Sequence, residues 1–91
     1  MSELQAKPTL YGTVWCGDTQ RACRILERNQ IAYLWVDLDR DPDAARHVER
    51  LNRGFRSVPT IIWPDGSMLV EPSDLELEEK IRLEEMKAGR R

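Results

Sequence analysis

The chain has 91 residues, enough for one compact domain with a thin core and too few for two. Hydrophobic residues make up 41% and charged residues 33%, and the 14 basic and 16 acidic side chains are interleaved to a net charge of −2. That balance argues against a nucleic-acid or membrane-binding face; no apolar run nears the roughly 20 residues of a membrane span and residues 1–7 hold no signal-peptide core, so a soluble, cytoplasmic protein is expected.

Residues 1–7 read as a polar lead-in. Residues 9–14 (TLYGTV) are a short β-prone run that stops at Trp15-Cys16-Gly17. From Asp18 to about Asn29 the pattern turns helical, with Ala22, Ile25, Leu26 and Asn29 on one stripe. Residues 33–38 (YLWVDL) are rich in aromatic and β-branched side chains and read as a second strand. Asp41 then stands as a helix cap directly before Pro42 at the first helical position. That helix is expected to reach about Asn52, turning Ala45, Val48 and Leu51 inward, with Gly54 ending it. Residues 60–63 form a third strand. Pro64-Asp65-Gly66 marks a turn, which makes residues 68–71 the antiparallel partner of that strand. Ser73 followed by Glu76 matches a capping box, and Leu75, Leu77, Ile81 and Leu83 continue into a closing helix. Residues 87–91 are basic and expected to fray.

The resulting order is β-α-β-α-β-β-α in a single domain spanning 1–91. A crossover helix joins the first two strands, so they run parallel, while the last two form a hairpin. Helices then cover both faces of a four-stranded mixed sheet, an α/β architecture.

Two cysteines, Cys16 and Cys23, with the lone His47 are too few for a disulfide framework or a four-ligand zinc site, so no metal is expected. In a reducing compartment both thiols start free. Cys16 falls where the first strand passes into the first helix. There the unpaired backbone N–H groups and the positive end of the helix dipole favour a thiolate, the nucleophilic form. The plain alternative is a small buried apolar residue.

Trp15-Cys16, Ser57-Val58-Pro59-Thr60 and the Asp65-Gly66-Ser67 turn together resemble the glutaredoxin family of the thioredoxin superfamily, over nearly the whole chain from about residue 9 to 81. The likeness is strongest to bacterial glutaredoxin-like and mycoredoxin-like proteins. It implies a thioredoxin-like fold and thiol–disulfide exchange in cell redox homeostasis and electron transfer. Cys16 would be the nucleophile, with Trp15 beside it. Pro59 corresponds to the family's cis-proline, which presents the backbone of Val58 to a thiol substrate. Arg56 corresponds to a position that holds a carboxylate of glutathione, and Ser73 and Asp74 to the segment that meets its γ-glutamyl end. Without the family, Arg56 is a solvated loop charge, Pro59 a strand-entry proline and Ser73 a helix cap.

The match breaks at Thr19, which stands where the second cysteine of Cys-x-x-Cys belongs. Thr19 cannot resolve a mixed disulfide, although its hydroxyl is within reach of donating to the Cys16 sulfur. Thr13 also replaces a lysine common in the family, and Cys16-Gly17-Asp18-Thr19 departs from the tetrad of cluster-binding members. Asp18 suits the helix dipole yet opposes a thiolate nearby. Cys23 lies seven residues beyond Cys16, about 10 Å along a helix, so it is either a displaced resolving thiol or a half-buried helix cysteine. The expected activity is monothiol exchange on mixed disulfides between proteins and small thiols. Glutathione or a mycothiol-like thiol serves as co-substrate, no cofactor is permanently bound, and the protein is a monomer. The alternative is a non-catalytic module that holds a small thiol or an iron–sulfur cluster.

Overall fold

The structure is a computed structural model and describes residues 7–89; all but the last residue of the lead-in expected for residues 1–7, and the last two residues of the tail, lie outside them. The elements follow the expected order: β1 (Thr9–Gly12), α1 (Gly17–Arg28), β2 (Leu34–Asp37), α2 (Pro42–Leu51), β3 (Thr60–Ile62), β4 (Met68–Val70) and α3 (Asp74–Lys87). The strands form one mixed sheet in the order β2-β1-β3-β4. β1 and β2 are parallel with Leu10 opposite Trp35, and β1 and β3 are antiparallel with Tyr11 opposite Thr60. β3 and β4 close the hairpin.

Alternation along β1 divides the molecule into layers. Leu10 faces one side, where it joins Ala22, Ile25 and Leu26 of α1, Ile61 and Trp63, and Leu77 and Ile81 of α3 in one buried cluster. Burying each of the larger aliphatic side chains contributes about 1.5–3 kcal/mol, so this layer carries most of the stability. Tyr11 faces the other side and meets His47 of α2 with ring centroids 6.2 Å apart. Val48 is fully buried on that side.

The caps are those the residue types dictate. Asp41 accepts from the Ala44 N–H at 3.0 Å, with Pro42 opening α2. Ser73 and Glu76 form a reciprocal capping box at α3. Asn29 closes α1 as its C-cap, its amide donating to the Ile25 carbonyl, instead of extending the apolar stripe.

Other boundaries differ from the expectation. β1 ends at Gly12, because the Cys16 N–H bonds the Thr13 carbonyl and folds residues 13–16 into a turn that leaves Val14 and Trp15 exposed. Leu51 is exposed: α2 stops there, and the Asn52 amide reaches inward to Thr60 Oγ1 in its place. Leu75 and Leu83 lie on the solvent side of α3, and Trp35 is partly exposed on the edge strand. α3 runs through Lys87, into the segment expected to fray, because the Lys87 ammonium donates to Asp65 and Glu84. With Lys80, which bonds Ser67 Oγ and stands 5.5 Å from the centre of the Trp63 ring, Lys87 fastens α3 over the β3–β4 turn.

Candidate active site

Cys16 is the N-cap of α1, in extended conformation (φ −83°, ψ 122°), half-buried, with a free thiol. Its carbonyl accepts from the Gln20 N–H at 3.0 Å, so the helix begins immediately after it. Its sulfur accepts no capping bond from the first turn. The first-turn N–H groups therefore remain available to an anion at this end of the helix.

Strand direction gathers the rest of the site. β1 and β2 are parallel, so the turn holding Cys16 and the turn after β2 share one end of the sheet. Because β3 runs antiparallel to β1, the chain entering β3, Val58-Pro59, arrives at that same end. The Val58–Pro59 peptide bond is cis and Pro59 is buried. The Pro59 carbonyl accepts from the Glu71 N–H at 2.8 Å, and the Thr60 hydroxyl donates to the Ser57 carbonyl at 2.8 Å, so the loop is held from both sides. The start of α3 joins through Arg21, whose Nε donates to Asp74 Oδ1 at 2.8 Å while Nη2 donates to Asp18 Oδ1 at 2.7 Å. Those two bonds, led by the one to Asp18, hold the guanidinium above its ordinary pKa.

Residues 9–67 match the glutaredoxin family model. The chain belongs to the glutaredoxin family. Among curated relatives, a Mycobacterium tuberculosis protein named as a glutaredoxin is 41% identical over 86% of this chain and 93% of its own length. Mycoredoxin 1 of Corynebacterium glutamicum is 33% identical over 80% of this chain and 90% of its own. Among solved structures, a glutaredoxin from Archaeoglobus fulgidus superposes with a TM-score of 0.69 at 21% identity, over 88% of this chain and 90% of that one. A thioredoxin-like protein superposes with a TM-score of 0.69 at 22% identity, over 80% and 97%. The fold is thus thioredoxin-like, and the activity is of the thiol–disulfide oxidoreductase kind.

Within this glutaredoxin site the expected residues meet different fates. Cys16, Trp15, Thr19, Arg56, Val58, Pro59, Ser73 and Asp74 gather at one end of the sheet. Trp15 is 69% exposed, its indole N–H donating to Asp39 Oδ2 at 2.8 Å. The Arg56 guanidinium donates to Asp39 Oδ1 at 2.7 Å, so its charge is already paired. The Ser73 hydroxyl accepts from the Glu76 N–H, and the Ser73 N–H donates to the Glu76 carboxylate.

Thr19 is 1% exposed and its hydroxyl has no hydrogen-bond partner. It is packed against Gly12, where a Cβ would stand 2.5 Å from Thr19 Cγ2. The Thr13 hydroxyl is likewise buried and unpartnered. Thr13 therefore offers a solvent-borne substrate nothing in place of the family's lysine.

Cys23 lies two turns below Cys16, packed against the core cluster beside Tyr33. Burial pushes its thiol above the ordinary value, partly offset by the Tyr33 hydroxyl. The Tyr33 hydroxyl itself donates to Glu27 at 2.6 Å. A thiol protonated through the neutral range does not attack disulfides there. Its alkylation is expected to become appreciable only above the ordinary thiol range, and following peptide-resolved iodoacetamide labelling against pH checks this.

Two site residues are not evident in the sequence, Asp39 and Arg21. Asp39 sits in the turn after β2, its N–H bonded to the Asp37 carboxylate at 3.0 Å. Its position past the carboxyl end of a parallel strand is the one local signal for it. Arg21 carries a weaker signal, three residues after Asp18 on the helix.

Proposed function

We propose that this chain reduces mixed disulfides between proteins and small thiols through Cys16 alone. The Cys16 thiolate attacks the small-thiol sulfur of the mixed disulfide. That S–S bond breaks, the protein thiolate leaves and takes a proton, and a Cys16–small-thiol disulfide forms. A second small thiol, as its thiolate, then attacks the small-thiol sulfur of this adduct. A small-thiol disulfide forms, and Cys16 leaves as the thiolate. The two exchanges balance: one free small thiol is consumed for each protein thiol released, and it leaves joined to the small thiol that was bound, as the small-thiol disulfide.

The observation that carries this reading is the isolation of Cys16 at the helix N-cap. Thr19 fills the neighbouring position with a buried methyl and hydroxyl, and Cys23 is two turns away with its thiol held protonated. Trp15, next to Cys16 in the chain, and the Val58-Pro59 segment, which enters β3 at the same end of the sheet, supply the surfaces on which the substrate would lie. The relation to mycoredoxin supports a mycothiol-type small thiol over glutathione. We take the working protein to be a cytoplasmic monomer with no resident cofactor, acting in cell redox homeostasis.

The test is steady-state reduction of a protein carrying a mycothiol or glutathione adduct, with the free thiol as co-substrate. Cys23→Ser is expected to turn over as fast as the unaltered chain, since no step uses that thiol. Loss of turnover in Cys23→Ser would make it a resolving cysteine and overturn the single-thiol mechanism. A protein that purifies brown, with visible absorbance lost in Cys16→Ser and no turnover, would point to the cluster-holding module.

A further inference from the structure

Both guanidinium groups in this site are already held by the chain's own carboxylates. Arg56 is paired with Asp39 at 2.7 Å, and Arg21 bridges Asp18 at 2.7 Å and Asp74 at 2.8 Å. Three carboxylates around two guanidinium groups leave this end of the sheet negative even before Cys16 ionises. Asp39 is the pivot. One of its oxygens accepts from Arg56 and the other from the Trp15 indole, so a single carboxylate fixes both the exposed ring beside the thiol and the cation at the rim.

A small thiol whose tail ends in a carboxylate gains affinity from a free guanidinium, which it grips by paired hydrogen bonds. Here it must displace Asp39 from Arg56, leaving two carboxylates to share one cation. A thiol with an uncharged polar tail meets no such competition. We propose that Asp39 is a specificity-determining residue that closes Arg56 to substrate carboxylates and so sets the site against small thiols with anionic tails. This inference rests on the thiol-transfer reading above. It adds a residue that excludes one class of co-substrate.

The experiment compares one cysteinyl peptide disulfide-linked to glutathione with the same peptide linked to glutathione diethyl ester. The two differ only in the capped carboxylates. The unaltered chain is expected to prefer the ester in kcat/KM. Asp39→Asn removes the charge and keeps one acceptor oxygen, for the indole or for Arg56, in nearly the same shape. It is expected to shrink that preference by about fivefold, the scale of one half-exposed ion pair, through a lower KM for the free acid. Asp39→Glu is expected to retain the preference, and added salt to weaken it in the unaltered chain and in Asp39→Glu alike. An ester preference unmoved by Asp39→Asn, or a fall in kcat for both substrates with their ratio constant, would overturn the role of Asp39. If the folded, unaltered chain turns over neither disulfide, the thiol-transfer reading itself fails and takes this proposal with it.

Discussion

Replacing Cys16 with serine is expected to abolish thiol transfer while making the protein more stable. Serine's hydroxyl is not ionised near neutral pH and forms no disulfide, so nothing replaces the covalent intermediate. Turnover should fall by more than about 10⁴-fold, within the range seen when a covalent nucleophile is deleted from an enzyme. The stability effect has the opposite sign for a local reason. Cys16 is the N-cap of α1 and its sulfur takes no bond from the first turn. Serine is among the preferred N-cap residues, and a satisfied cap contributes about 1 kcal/mol. For a domain of this size that corresponds to about 4–8 °C in Tm. Kinetics and calorimetry on the same preparation check both halves. A variant that is inactive because it has unfolded, or one that still turns over, contradicts the assignment.

The second large effect is expected at Gly12, which closes β1 directly beneath the first turn of α1. A Cβ there would stand 2.5 Å from Thr19 Cγ2, 2.8 Å from Thr19 Oγ1 and 3.3 Å from Leu10 Cδ2. The first two distances are closer than such atoms approach, and Thr19 is a buried, β-branched helix residue with little rotamer freedom. Gly12→Ala is therefore expected to destabilise by about 1–3 kcal/mol, the range for overpacking a filled interior. Because Thr19 lies in the same helical turn that Cys16 caps, thiol transfer should slow as well.

Truncating Thr19 to alanine removes both clashing atoms and sacrifices no hydrogen bond, since the hydroxyl has no partner. The Gly12→Ala/Thr19→Ala double variant should recover most of the loss that Gly12→Ala causes alone. Denaturant melts of the four-member cycle measure this coupling. Additive effects would mean that Thr19 is not the atom set that Gly12 accommodates.

Both effects join a short strand, a helix cap and a thiol, and how far each was readable in the sequence follows from how local it is. Element order, the Asp41-Pro42 start of α2, the Ser73/Glu76 box and the Asp65-Gly66 turn depend on residues within a few positions of one another, and they stand where the sequence puts them. The strand-to-helix position of Cys16 is legible for the same reason. Leu51, Leu75 and Leu83 were less so. Helical spacing identifies an apolar stripe, but how much of it is covered depends on where the helix stops and how far the sheet beneath it extends.

The electrostatics of the site was least legible. Asp39 joins Trp15 and Arg56 across 24 and 17 residues, and Arg21 reaches Asp74 across 53. Pairings at such separations exist only once the strands have set their directions. Arg56 consequently read as a cation open to substrate, whereas the folded chain has already partnered it.

The most direct test of the single-thiol account is the intact mass of the protein after exposure to a limiting amount of a protein–small-thiol mixed disulfide, with no free thiol present to resolve the adduct. The account predicts one small thiol added, mapped by peptide analysis to Cys16, with Cys23 still free. An internal Cys16–Cys23 disulfide without added thiol, or an adduct mapped to Cys23, would contradict it.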